Sequence, residues 1–344
     1  MEKLNQQQIK WENTRAIFSA IAEAEMISRA ELAAKTGLSL MTVGKLVESL
    51  DSSGIVEQFK DERVTAGRTA RLVRRRPEWH MLVLDLTVPN FRMSVLDSAC
   101  HVLEEIVYPY EESLFCEENL VLFLRNLPFC QRHKTDPNFC IGAGILLPGA
   151  YDAQNDCMIG KNIPIHVPLN PGRILSSLLP DIPLAIMTDV QAAAYSVGLT
   201  EDDTEHLLWL SLDLPISGAL ILDGTPILGA HRGGGRFGDI TIGTNFTLRE
   251  AMLTLKDPTE RGAAAAIALF SLISAFDPAV IRLEAHSPGF DPIFLDALHG
   301  RLNQLNADRA LPLPPIKTEV RSVFTPVLGI ALSMRNDWMK TRLE

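Results

Sequence analysis

The stretch SRAELAAKTGLSLMTVGKLVESLDSSGIVEQ, Ser28 to Gln58, carries two short helices together with the residues that start and stop them. Ser28 followed three residues later by Glu31 is a capping box, in which side chain and backbone satisfy each other's donors at a helix start. The helix it opens, Arg29 to Lys35, runs into Thr36-Gly37, where glycine accepts the left-handed conformation that ends a helix. Ser39 then caps a further helix on which Leu40, Val43, Leu46, Val47 and Leu50 share one face. Upstream, Asn5 to Glu25 places Ile9, Ile17, Ile21 and Ala22 at near-helical spacing. Three helices with a tight turn between the last two predict a helix-turn-helix. If the last helix packs through its apolar face, Met41, Thr42, Lys45 and Ser49 point outward, the first three near the N-terminal end that meets base edges in such motifs. The same residues also suit the solvated surface of a helical hairpin that binds no DNA.

Downstream, Glu57 to Val73 is polar and β-compatible, with Ala66-Gly67-Arg68 at its expected turn and seven basic residues between Lys60 and Arg76. It reads as a β-wing. Glycine before arginine lets backbone approach DNA closely while the guanidinium enters a narrow minor groove. Arg74-Arg75-Arg76, by contrast, reads as a charged linker before Pro77. The charge distribution fits this division: residues 1–76 hold 13 Lys/Arg against 10 Asp/Glu, whereas the rest holds 19 against 32 and brings the chain to -10. A basic module fused to an acidic body is expected.

With 344 residues the chain has room for two or three cores. Its polar start shows no signal-peptide pattern, and the longest apolar run, Ala263 to Phe276, reads as a buried helix too short to span a bilayer. Five cysteines (Cys100, Cys116, Cys130, Cys140, Cys157) without a CxxC pair speak against a disulfide framework or a zinc ribbon and fit a reducing cytoplasm. From Met81, strands and helices alternate. Met81–Leu86 and Phe91–Leu96 form an expected hairpin; strands are expected at Phe139–Leu147, Leu184–Met187, Leu207–Leu212 and Ala219–Leu222, and helices at Asn119–Asn126, Val190–Gly198 and Gly262–Phe276. The body is α/β.

The run from Ser28 to AGRTARLV (Ala66–Val73) resembles the N-terminal region of ROK-family regulators, in which a glycine-arginine wing motif matches Gly67-Arg68. In the body, IGAGILLPGAYD (141–152), GKNIPIHVPL (160–169), MTDVQAAAYSVG (187–198), LILDGTPILGAHRGGGRFGDI (220–240) and FDPAVIRLEA (276–285) are similar, in order, to motifs of the family's sugar kinases. The resemblance implies a winged helix-turn-helix over 1–78 and a two-lobed actin-like (ribonuclease H-like) kinase fold over 79–344: lobe one about 79–198, lobe two about 199–322, and a C-terminal helix, 323–344, returning to lobe one. It implies DNA contacts from Ser39, Met41, Thr42, Lys45, Gly67, Arg68 and Arg71.

For the body it implies Asp189 at the kinase's base position, beside Thr188 where the family has Asn. Other kinase features depart from the pattern. The family's Asp-Ile-Gly-Gly-Thr phosphate loop is Asp85-Leu86-Thr87-Val88-Pro89, and its Gly-Thr-Gly-Ile-Gly loop is Asp213-Leu214-Pro215-Ile216-Ser217, which loses the close backbone approach that phosphates need. The sugar-binding Glu and His align with Arg236 and Asp239, and residues 240–344 lack the cysteines of the family's zinc site. Two readings follow. Asn162, Thr188, Asp189, Arg236 and Asp239 form a redesigned effector site in which Arg236 suits a phosphorylated or acidic sugar, or the pocket is vestigial and Arg236 pairs with Asp239 or Asp189. The expectation is a cytoplasmic homodimeric or homotetrameric regulator, most simply a repressor, that binds a double-stranded operator and takes a sugar or sugar-phosphate effector, with no cofactor, metal or membrane; a kinase with divergent loops and an effector-free DNA-binding dimer are the alternatives.

Overall fold

Two runs of consecutive buried apolar residues, Met81–Leu84 and Ile141–Leu147, mark strands covered on both faces, and the body is built around them. The computed structural model describes residues 2–60, 71–87, 90–109, 117–126, 139–148, 150–152, 154–159, 170–201, 204–213, 216–230, 233–244, 246–284, 290–308, 312–319, 322 and 324–344. The N-terminal unit comprises α1 (Glu2–Ala24), β1 (Ile27–Ser28), α2 (Arg29–Thr36), α3 (Leu40–Ser52), β2 (Val56–Lys60) and β3 (Arg71–Arg75). Its sheet has the order β1-β3-β2, antiparallel throughout.

The first body sheet has the order β10-β7-β4-β5-β6. The expected hairpin is its centre: β4 (His80–Asp85) pairs antiparallel with β5 (Asn90–Asp97), which pairs antiparallel with β6 (Val102–Pro109). On the other side of β4, β7 (Cys140–Leu147) and β10 (Leu184–Thr188) follow in parallel. The second sheet repeats this plan. There β11 (Leu207–Ser211) turns antiparallel into β12 (Ser217–Leu222) and β13 (Thr225–Pro226), while β16 (Val280–Glu284) and β17 (Ile316–Glu319) add in parallel on its other side. Two short hairpins complete the strands, β8 (Ala150–Asp152) with β9 (Cys157–Ile159) and β14 (Thr241–Gly243) with β15 (Phe246–Thr247).

Helices α4 (Glu117–Arg125) and α5 (Pro171–Leu178) cover the first sheet through Leu120, Leu124, Ile174, Leu175 and Leu178. Helices α7 (Leu248–Thr254), α8 (Pro258–Phe276) and α9 (Pro292–Leu305) pack with the second sheet. Although α8 is long and apolar enough to cross a membrane by length and composition, Ala264, Ala265, Ala266, Ala268 and Leu269 are buried in this core. Gly262 lets α8 touch α9, since a Cβ there would lie 2.3 Å from the Phe294 carbonyl oxygen.

Helix α6 (Asp189–Thr200) lies between the two sheets, and α10 (Phe324–Leu343) crosses it while lying on β7 and β4. Glycines of β7 let α10 lie close on the sheet. A Cβ on Gly144 would meet Ile330 at 2.8 Å, and one on Gly142 would meet Met334 at 3.0 Å. The core around α10 is continuous with that of the N-terminal unit: Ile17, Phe18 and Ile21 of α1 belong to the same buried cluster as Val327, Ile330 and Met334.

Candidate functional site

The N-terminal unit is organised by its caps. The Ser28 hydroxyl accepts the Glu31 backbone N–H (3.2 Å), and Glu31 Oε2 accepts the Ser28 N–H (2.9 Å) and hydroxyl (2.7 Å). Those bonds stabilise the ionised form and hold the Glu31 carboxyl below its usual range. Gly37, at φ 70°, donates its N–H to Ala33 and ends α2 as expected. Ser39 caps α3 by accepting the Thr42 N–H (3.2 Å), and its hydroxyl lies 2.9 Å from that of Thr42. Replacing Ser39 with Ala should cost about 1 kcal/mol of stability, measurable as a lower denaturation midpoint.

Val43, Leu46, Val47 and Leu50 of α3 are buried with Ile17, Phe18 and Leu32. Two positions assigned to apolar faces are not. Leu40 is 61% exposed and Ile9 is 50% exposed. Helical period alone places them facing inward, but they lie at ends where the neighbouring elements no longer cover the helix. Leu40 therefore joins Met41, 73% exposed, and exposed Lys45 at the outward tip of α3. Arg71 is exposed at the start of β3, opposite Lys60 in the register. Gly67 and Arg68 fall outside the described residues.

The three arginines read as a linker are instead anchored. Arg74 pairs with Glu57 (2.5 Å) and covers the Phe59 ring, and Arg75 pairs at 2.6 Å with buried Asp97 of the body. Arg76 lies 3.6 Å from Glu78. Arg74 and Arg75 are strand residues of β3, so each meets a cross-strand or tertiary partner, Arg74 while still exposed and Arg75 largely buried. Further links join the unit to the body. Trp79 donates its indole N–H to the Gly54 carbonyl (3.0 Å) and packs against Trp338 and Phe139. Arg342, in the last turn of α10, covers the Trp79 ring and donates to the Ser53 carbonyl (3.1 Å) at the end of α3.

The body's candidate site gathers at the start of α6. Thr188 is buried there as an N-cap: its hydroxyl accepts the Gln191 N–H and its own N–H donates to Gln191 Oε1, both at 3.2 Å. Gln191 Nε2 donates to the Gly234 carbonyl (3.1 Å), tying α6 to the glycine run. Gly235, at φ 91°, accepts the Gly218 N–H (2.8 Å), and a Cβ on Gly235 would lie 2.0 Å from the Gly218 oxygen. Only glycine fits this approach. Asp189, the first residue of α6, is half-buried.

Buried Asp85 accepts the backbone N–H (2.9 Å) and hydroxyl (2.5 Å) of Thr87. Burial pushes its carboxyl up to about 6; the Thr87 bonds oppose that rise, nearby Asp189 adds to it, and Arg92 opposes it. Because the folded state then binds the proton more tightly than the unfolded chain, the stability attached to this group is present below about pH 4 and is lost as pH rises through about 6. Asp85→Asn should therefore gain on the unsubstituted protein between those values. Offset by a buried amide without a partner, the gain at pH 7.5 should be about 1 kcal/mol, checked by urea denaturation across pH.

Arg236 donates through Nε (2.9 Å) and Nη2 (2.5 Å) to Asp239 Oδ2, and Arg249 Nη2 lies 2.5 Å from Asp239 Oδ1. Of the partners considered from sequence, Asp239 rather than Asp189 takes Arg236. Asn162 lies outside the described residues. Gln191 and Arg249 were missed as members of this region. The Thr188-x-x-Gln191 spacing is a legible capping box, whereas nothing local marks Arg249. Among the described residues no group of three or more His, Cys, Asp or Glu side chains is arranged to hold a metal.

Two sheets of the same strand order, joined across α6 and α10, define a two-lobed α/β protein of the actin-like class, extended by an N-terminal helical unit. Neither a protein-family model nor a curated protein sequence matches the chain. Solved structures do. A ROK family transcriptional regulator, described as a homologue of the E. coli MLC protein, aligns over 97% of this chain and 99% of its own, with a TM-score of 0.69 and 15% identity. A ROK hexokinase from Thermus thermophilus aligns over 74% of this chain and 97% of its own, with a TM-score of 0.56 and 19% identity. A ROK family protein from Streptococcus pneumoniae TIGR4, solved with sucrose, aligns over 76% and 98%, with a TM-score of 0.55 and 17% identity. The fold is that of the ROK proteins.

Proposed function

We propose that the chain is a DNA-binding transcriptional regulator, most simply a repressor, with a winged helix-turn-helix over residues 1–78 and a kinase-like body that does not phosphorylate. One observation carries this reading. The regulator's structure accounts for 97% of the chain and the hexokinase's for 74%, a difference of about the length of the N-terminal unit. That unit presents the outward end of α3 and the strands of a wing, as a major-groove reader with a flanking arm requires.

Ser39 serves α3 as its cap, while Met41, Thr42 and Lys45 supply the reading tip, and Gly67, Arg68 and Arg71 the wing. The body, residues 79–344, acts as sensor and assembly platform in a cytoplasmic homodimer or homotetramer, so that paired readers meet a two-fold operator. A sugar or sugar phosphate bound near Asn162, Thr188, Asp189, Arg236 and Asp239 biases the spacing of the readers by binding one lobe arrangement more tightly than another. Fluorescence anisotropy with DNA from upstream of the gene tests the central claim. Binding should exceed that to random duplex at about 0.15 M salt. Lys45→Ala and Arg71→Ala should each lower the salt slope by about 1 if they contact phosphate. Equal affinity for both DNAs would sink the proposal.

A sugar kinase is the second reading, favoured by the retained carboxylates Asp85 and Asp189, which lie near enough to interact. ADP release in the presence of hexoses or amino sugars, abolished by Asp189→Asn, would establish it. Against it stands the engagement of Asp239 by two arginines where the kinase motif carries a sugar-binding histidine. An effector-free regulator is separated from the first reading by thermal shift against sugars and sugar phosphates, because a specific ligand stabilises by mass action.

A further inference from the structure

The outward tip of α3 is unusually apolar for a surface that reads polar base edges. Leu40 and Met41, its first two residues, are 61% and 73% exposed. The hydroxyls of Ser39 and Thr42 are hydrogen-bonded to one another, and Ser39 also accepts the Thr42 N–H. Arg29, the nearest guanidinium on α2, is drawn onto Glu48 and Gln58. Gly44 adds no side chain. The surface left at this end is therefore mainly apolar, Leu40 and Met41, with the ammonium group of Lys45 and the partly engaged Ser39 and Thr42 hydroxyls beside them.

The surroundings set the partner's charge. Residues 1–76 are net basic in a chain of net charge -10, and Arg71 lies exposed on the wing strand. A polyanion with apolar points recessed between its charges complements such a tip. B-form DNA offers one such point per base pair only where thymine places its C5-methyl group in the major groove. Resting on the reading of residues 1–78 as a DNA reader, we propose that Leu40 and Met41 select the operator by apolar contact with thymine methyl groups. Lys45 adds phosphate or guanine contact, and hydrogen-bonded base readout at this tip is secondary.

The test begins with in vitro selection of duplexes by the full-length chain, followed by replacement of single thymines with deoxyuridine, which removes the methyl group and leaves every base-edge hydrogen bond. At thymines facing α3, each replacement should weaken binding about four-fold, the transfer value of one buried methyl-sized group. In a Leu40→Ala/Met41→Ala protein the thymine and deoxyuridine duplexes should bind alike. Both side chains are exposed, so circular dichroism and melting should match the unsubstituted protein. Selection of a defined sequence whose binding ignores deoxyuridine throughout, or whose methyl dependence persists in the double variant, overturns this inference while leaving the DNA reader intact. Enrichment of no sequence overturns the DNA reader and this inference with it.

Discussion

Asp97→Ala should lower the melting temperature by about 10 °C and loosen the N-terminal unit from the body. Asp97 is buried at the β5–β6 turn, where it accepts the N–H groups of Ala99 (2.8 Å) and His101 (2.9 Å) and pairs with Arg75 at 2.6 Å. Removing the carboxylate leaves a mostly buried guanidinium without its counter-ion and two turn amides without an acceptor. Breaking a buried pair this way costs about 3–5 kcal/mol. Arg75 retains some contact with solvent, so about 3 kcal/mol is expected, and at 2–4 °C per kcal/mol for a chain of this size that gives the stated shift. Differential scanning calorimetry measures the loss. Limited proteolysis should show faster cleavage near Pro77, because Arg75 is the ionic tie between β3 and the first body sheet. A melting temperature within 2 °C of the unsubstituted protein would show that the aromatic contacts of Trp79 hold the joint alone.

That joint was invisible in the sequence, while much around it was legible, and the difference lies in the range of the interactions. The capping box of Ser28 and Glu31, the left-handed Gly37 and the β4–β5 hairpin depend on residues within a few positions of each other, and each forms as read. Leu40 fits the apolar period of α3, yet whether a position at the end of a helix is covered depends on where α1 and α2 stop. Arg75 looks like linker until β3 is extended past it and Asp97 is brought alongside from the body. Thr188 caps α6 at a spacing to Gln191 that is legible in the sequence, and since its hydroxyl only accepts there, its O–H is still available to donate. The matching strand orders of the two sheets rest on parallel neighbours far apart in the chain, such as β4 with β7 and β11 with β16, for which no local pattern exists. Gly67, Arg68 and Asn162 lie outside the described residues, and their roles rest on resemblance.

Helices α6 and α10 meet backbone against side-chain position at Gly329. A Cβ on Gly329 would lie 1.7 Å from the Ala192 carbonyl oxygen and 2.5 Å from its carbon, so Gly329→Ala cannot be absorbed by a side-chain rotation and must push one helix backbone from the other. Overpacking of this kind costs about 1–3 kcal/mol, and a clash with backbone belongs at the upper end. Gly300, inside α9, supplies the control of opposite sign. Nothing lies within 4 Å of a Cβ there, so Gly300→Ala should stabilise by about 0.5–1 kcal/mol through helix propensity alone. The consequence of the Gly329 substitution extends beyond stability because of what each helix carries. One end of α6 holds Thr188 and Asp189 beside the glycine run, and the far end of α10 holds Arg342 on the Ser53 carbonyl at the end of α3. Separating the two helices should shift the N-terminal unit relative to the start of α6, so on the proposed DNA-binding function Gly329→Ala is expected to weaken operator binding about ten-fold at a temperature where the protein is still folded, an effect of about 1.4 kcal/mol. Gly300→Ala should leave binding unchanged. Equal operator affinity for both variants, with the melting temperatures separated as expected, would show that the crossing supports the fold without transmitting anything to the reader.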